Sequence, residues 1–113
     1  MTGRTLDAPL FAWPDGVLDG RKVVQCALSR ICGGCGSPLG RPIAFVGSAE
    51  EVERNAFHAP PMHEGCAEAL RSTGAAGSAV VLTAGYEYVR PAKDALERRP
   101  VFVPNSILGG HSG

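Results

Sequence analysis

Two pairs of ligand-type residues with the same spacing constrain this chain more than anything else in it. They are Cys32-Gly-Gly-Cys35 and His63-Glu-Gly-Cys66, with 27 residues between them. Three thiolates and one imidazole are the donor set of a closed tetrahedral zinc site, so one structural Zn2+ on Cys32, Cys35, His63 and Cys66 should tie the middle of the chain together. The first pair, followed by Gly36, has the form of a zinc knuckle. Two cysteines three apart reach one ion only if the backbone wraps tightly around it, and glycine at 33, 34 and 36 permits that. The second pair is expected at the start of a helix, with His63 and Cys66 one turn apart on one face. There the positive end of the helix should favour the Cys66 thiolate.

Other chemistries fit this pattern less well. A thiol–disulfide reading of Cys32 and Cys35 needs the cysteines to open a helix, whereas here they are expected to follow one. A catalytic zinc keeps one position open for water, and four protein ligands leave none. The deaminase signature places His-x-Glu before Pro-Cys-x-x-Cys, the reverse of the order here. An HNH-type nuclease would need a catalytic histidine ahead of the helix, where His58 stands alone. Iron is the competing metal, and mixed Cys/His ligation at a single site favours zinc over a cluster. His58 is the alternative imidazole ligand, but as a loop residue it is expected at the surface. Cys26 falls well off the apolar face of its helix and reads as a spare, semi-buried thiol whose replacement by serine is nearly silent. Cys32→Ser or Cys66→Ser should unfold the protein.

A metal staple suits the composition. Of the 113 residues 44% are hydrophobic but only 6% aromatic, and fifteen glycines and nine prolines thin the chain further. A core built on Ala, Val and Leu buries little area per residue, whereas structural zinc contributes on the order of 10 kcal/mol of apparent binding free energy. Eleven basic residues balance eleven acidic ones, which weakens any reading as a general polyanion binder. The acidic residues gather at Glu50, Glu51, Glu53, Glu64 and Glu68, and basic ones at Arg90, Lys93, Arg98 and Arg99. No apolar run approaches the roughly 18 residues of a membrane span, and the N-terminus lacks a signal-peptide core. A cytoplasmic protein with cysteines committed to metal is the expectation.

Along the chain, Leu10–Trp13 turned by Pro14–Gly16 into Val17-Leu18 reads as a short hairpin. Asp19 caps a helix to about Ile31 whose apolar face is Val23, Val24, Ala27, Leu28 and Ile31. Pro42–Val46 reads as a strand, and Ser48-Ala-Glu-Glu51 has the spacing of a capping box over a helical turn. Ala59–Met62 is stiff and extended, delivering His63 to a helix through about Arg71 that packs Ala67 and Leu70 inward. A loop over Ser72–Ser78 precedes a strand, or two short ones, over Ala79–Val89 with a bulge at Gly85. There Tyr86 and Tyr88 share one side. Val101–Val103 is a last strand, and Leu108–Gly113, with His111, a frayed tail.

Phe11-Ala-Trp13, Cys32-x-x-Cys35-Gly-x-Pro-Leu-Gly40, Ala44-Phe-Val46 and Pro60-Pro-x-His63-x-x-Cys66-Ala67 together resemble a group of small, mostly uncharacterised actinobacterial and actinophage zinc-binding proteins. That group shares a CxxCGxPLG…AFV…PPxHxxCA block with a treble-clef-like layout. The resemblance covers about residues 10 to 71 and implies the same metal site, without a substrate. It departs at Gly33 and at Glu68–Leu70, where the group carries aromatic residues.

The resulting expectation is an α+β fold, a small treble-clef-like zinc domain with a short antiparallel sheet and two main helices. It would be one domain over 1–113, with a metal-site core at about 20–71 and C-terminal strands at about 79–104. The expected role is a non-enzymatic protein-interaction module or accessory factor. The alternative is a nucleic-acid-binding finger using Arg90, Lys93, Arg98 and Arg99, joined by Arg41 and Arg54. A small enzyme using Tyr86, Tyr88 or His58 is the third class.

Overall fold

The computed structural model describes residues 10–14, 17–74, 76–94 and 99–112. Its elements are α1 (Gly20–Ser29), β1 (Ile43–Gly47), α2 (Ala49–Arg54), α3 (Glu64–Thr73), β2 (Ala79–Val89) and β3 (Val101–Ser112). The fold is α+β: one antiparallel sheet in the order β1-β2-β3 with two long helices. Among the described residues no helix is long and apolar enough to cross a membrane.

Local sequence explains the helix starts. The Asp19 carboxylate accepts the Arg21 and Lys22 backbone N–H groups at 2.8 and 3.4 Å, capping α1. Ser48 and Glu51 form the reciprocal capping box on α2, with the Glu51 N–H donating to Ser48 Oγ and the Ser48 N–H to Glu51 Oε1. Arg30, Asn55 and Gly74 take left-handed conformations that stop the three helices.

The sheet is buried on both faces along β1, which accounts for the unbroken apolar run of that strand, all five of whose residues are buried. Ala44, Val46 and Val80 pack on one side with Ala67 and Leu70 of α3, with Trp13, and with Cys32 of the knuckle. Ile43, Phe45 and Val81 pack on the other with Val23 and Ala27 of α1, Phe57 and Phe102. On that second face Phe45, Phe57, Tyr86, Tyr88 and Phe102 form a ring cluster with neighbouring centroids 5.3–5.8 Å apart. Five of the seven aromatic residues (four Phe, two Tyr, one Trp) thus gather in one place. The ring-poor core anticipated from composition is instead built around Phe45, Phe57 and Phe102, all fully buried.

Several boundaries differ from expectation. The tight turn near the N-terminus lies within Leu10–Trp13, whose end residues bridge each other, rather than at Pro14–Gly16; Asp15 and Gly16 lie outside the described residues. Helix α1 stops before Ile31, and Leu28, assigned to its apolar face, is 66% exposed while Cys26 is fully buried. The buried residues are Val23, Cys26 and Ala27, one i, i+3, i+4 stripe turned toward Cys26 and away from Leu28 relative to the expected face. The irregularity between β2 and β3 falls at Leu82/Thr83, not Gly85. Residues 108–112, expected to fray, continue β3, with Gly109, Gly110, His111 and Ser112 opposite Leu82, Val81, Val80 and Ala79. Central strand β2 has a second edge to fill there, and backbone pairing does so whatever the side chains are. Gly113 lies outside the described residues.

Candidate metal centre

Backbone hydrogen bonds build the site before any side chain is considered. In the knuckle the Cys32 N–H donates to Ser37 O at 2.8 Å and the Gly36 N–H to Cys32 O at 2.8 Å. Gly36 has φ +76, a conformation glycine adopts without strain. Gly33 and Gly34 serve a different need. A Cβ on Gly33 would run into the Pro60 ring, and one on Gly34 would sit 2.7 Å from Cys66 Cβ. The knuckle carbonyls of Gly34 and Gly33 accept the Phe11 and Ala12 N–H groups, both at 2.9 Å, and the Gly33 N–H donates to Pro61 O at 2.8 Å. Met62 pairs with Ala44 through two backbone bonds of 2.8 and 2.9 Å. The proline segment is thereby laid along β1, bringing His63 to the start of α3 facing the knuckle.

His63 is the N-cap residue of α3, yet its side chain makes no capping hydrogen bond. Its Nδ1 instead lies 3.3 Å from Cys35 Sγ, while Nε2 lies 2.9 Å from the Pro38 carbonyl. A carbonyl only accepts, so Nε2 carries the proton and Nδ1 presents its lone pair to the cysteines. Fixing the tautomer of a metal-binding imidazole by a partner on its other nitrogen is the usual arrangement around metals. The donor atoms of Cys32, Cys35, His63 and Cys66 all lie within 4.8 Å of one another. Tetrahedral zinc with thiolate bonds of about 2.3 Å has sulfur–sulfur edges of about 3.8 Å, so small side-chain adjustments close the set around one ion. These four residues could hold a metal ion.

The electrostatics are uneven. Cys32 is buried, and its sulfur accepts the Gly34 and His63 backbone N–H groups at 3.2 and 3.3 Å, the pattern that offsets thiolate charge in a knuckle. Cys35 is exposed; burial acts to raise its pKa, but hydrogen bonds from the Ser37 backbone and hydroxyl, with smaller ones from Cys32 and His63, bring it down to about 7. Cys66 goes the other way. Burial, then the nearby Cys32 and Cys35 sulfurs, push it up to about 12, overturning the expectation that the helix end would favour its thiolate. Loss of solvation, with repulsion among three packed sulfurs added to it, outweighs the attraction of one helix terminus, and a bound dication would offset that penalty.

The remaining candidates are dispersed. Cys26 is fully buried and pushed up to about 11 by burial and by Cys32, outside the donor set. The Tyr86 hydroxyl donates to Ala27 O at 3.2 Å, and the Tyr88 ring packs tilted against Phe102 with the Arg90 guanidinium 6.0 Å from its centroid, so both tyrosines serve packing. His58 is not an exposed loop residue: its side chain is 15% exposed and Nδ1 lies 2.9 Å from Glu51 Oε2. The capping-box spacing held the signal for this contact only in part, since it placed Glu51 but not His58. Arg90, Lys93 and Arg99 are exposed, and Arg98 lies outside the described residues. No family model matches the chain, and neither a curated protein nor a solved structure matches it.

Proposed function

We propose that this chain is a structural-zinc protein, with one Zn2+ held by Cys32, Cys35, His63 and Cys66, acting without catalysis as an interaction module. The observation that carries the metal assignment is the orientation of His63, with Nε2 held by Pro38 O and Nδ1 turned to the sulfurs. Three sulfurs and a nitrogen suit zinc, and four protein donors leave no position for water or substrate. The layout supports a treble-clef-like reading: a knuckle, then β1 bridged to the Met62 segment as a broad hairpin with α2 at its tip, then a helix bearing the last ligands. It agrees with the resemblance to the actinobacterial and actinophage group. Zinc's role there is to lock together knuckle, proline segment and α3, which already meet through the Gly33 N–H to Pro61 O bond and the packing of Cys32, Met62 and Ala67.

The interaction role is supported by the adjacent exposed pair Ile107 and Leu108 on β3, 53% and 59% accessible, which no core cluster includes. A protein partner suits such a surface better than nucleic acid does. Elemental mass spectrometry on protein purified without added metal, with visible absorbance, tests the metal assignment. About one zinc per chain and no colour supports it; iron with visible bands, or a metal-free titratable dithiol, refutes it. Crosslinking from cells with Ile107→Asp/Leu108→Asp as control tests the role. A specific protein partner lost in that variant supports it, and an unchanged set of partners refutes it.

A further inference from the structure

Away from the metal centre, a cleft of about 530 Å³ opens between Trp13, Val17 and Leu18 on one side and α2, His58 and Arg99 on the other. A second basin of about 480 Å³ adjoins it, sharing Val17, Leu18, His58 and Arg99 and walled by Val23, Val24 and Pro100. Neither includes a metal ligand. We propose that this cleft binds a small organic anion: a carboxylate or phosphate monoester bearing an apolar group.

The charges favour an anion over a cation. Among the described residues of the lining the one carboxylate is already engaged, with Glu51 Oε1 accepting the Ser48 N–H at 3.0 Å and Oε2 accepting the His58 N–H at 3.1 Å. The same Oε2 lies 2.9 Å from His58 Nδ1, and because a carboxylate only accepts, Nδ1 carries the proton. Glu51 thus holds His58 in place and offers little to an incoming cation. Arg54 and Arg99 also line the cleft, and guanidinium groups match carboxylate and phosphate oxygens through paired N–H donors. Trp13, Leu18 and the second basin supply the apolar wall. The volume lies within the range of about 300–1,000 Å³ typical of small-molecule sites.

The test is titration calorimetry with amide and indole NMR shifts on the full metal-loaded chain, using phenyl phosphate, inorganic phosphate and benzyl alcohol. Phenyl phosphate should saturate at millimolar concentration and shift the Trp13 indole and His58 amide signals. Inorganic phosphate should bind about tenfold more weakly for lack of apolar burial, and benzyl alcohol should not saturate. Arg54→Gln and Arg99→Gln should each weaken phenyl phosphate about tenfold with metal content and melting temperature unchanged. Arg54 is an exposed residue near the end of α2, so Arg54→Gln decides alone should Arg99→Gln melt early. No saturable phenyl phosphate binding, unchanged binding in Arg54→Gln, or equal affinity for inorganic phosphate would overturn the proposal.

Discussion

Replacing Gly34 by alanine probes how closely the knuckle and α3 must approach. The added methyl carbon would stand 2.7 Å from Cys66 Cβ, 3.0 Å from Met62 Cε and 3.1 Å from Cys66 Sγ. Carbon atoms in contact prefer about 3.5–4.0 Å, so something must retreat by about 1 Å. Met62 Cε ends a flexible chain and can turn aside. Cys66 Cβ is fixed to α3, which Ala67 and Leu70, 0% and 1% exposed, lock into the core. The strain therefore falls on the relation between Cys66 and the other ligands. Overpacking of this kind costs about 1–3 kcal/mol, and displacing a ligand should weaken metal binding about 10–100-fold. Together these are a large part of the roughly 5–15 kcal/mol that stabilises a domain. Guanidinium unfolding in excess zinc, with chelator competition for affinity, measures both. Two glycines with open space around them serve as controls. Gly40→Ala should change little, and Gly65→Ala, inside α3, should stabilise by about 0.5–1 kcal/mol. Wild-type affinity and stability in Gly34→Ala would refute the reasoning.

Cys66→Ser should lose the metal and most of the folded population. Cys26→Ser should keep one metal per chain yet melt earlier, because an unpaired hydroxyl at a fully buried site costs about 1–3 kcal/mol. That replaces the expectation of a silent substitution, and equal melting temperatures would restore it. Metal affinity should rise with pH. Burial and the neighbouring sulfurs push the Cys66 thiol well up in the metal-free site and binding must release its proton, so log K gains at least one unit per pH unit around neutrality. The slope should steepen below about pH 7, where Cys35 also holds a proton. A pH-independent affinity in chelator competition would contradict the thiol assignment. Phe102→Ala, at the centre of the ring cluster, should cost about 3–5 kcal/mol in denaturant unfolding without changing metal stoichiometry. A loss of metal in that variant would mean the two faces of the sheet are not separable.

What the chain states locally could be read directly. Capping side chains, the matched ligand pairs and the proline segment act within a few residues, so Asp19, Ser48 with Glu51, and the knuckle at Cys32–Cys35 announced their structures. So did the four-residue donor set, since few arrangements reconcile three cysteines and a histidine at those spacings. Long-range geometry decided the rest. Burial of Cys26 depends on which way α1 is turned as it packs against the sheet. The Glu51–His58 contact and the cleft beside it depend on how α2 turns back over the segment that follows it. The ring cluster gathers residues from three strands and a loop. The glycine-bearing end of β3 has almost no strand propensity of its own, and it is ordered by the unfilled edge of β2. The same division holds for the sulfurs: their identity as ligands was legible in spacing, but the opposite pKa shifts of Cys35 and Cys66 arise from which atoms the fold packs against each. Such interactions are set by proximity in space, and proximity between residues far apart in sequence exists only once the backbone has closed.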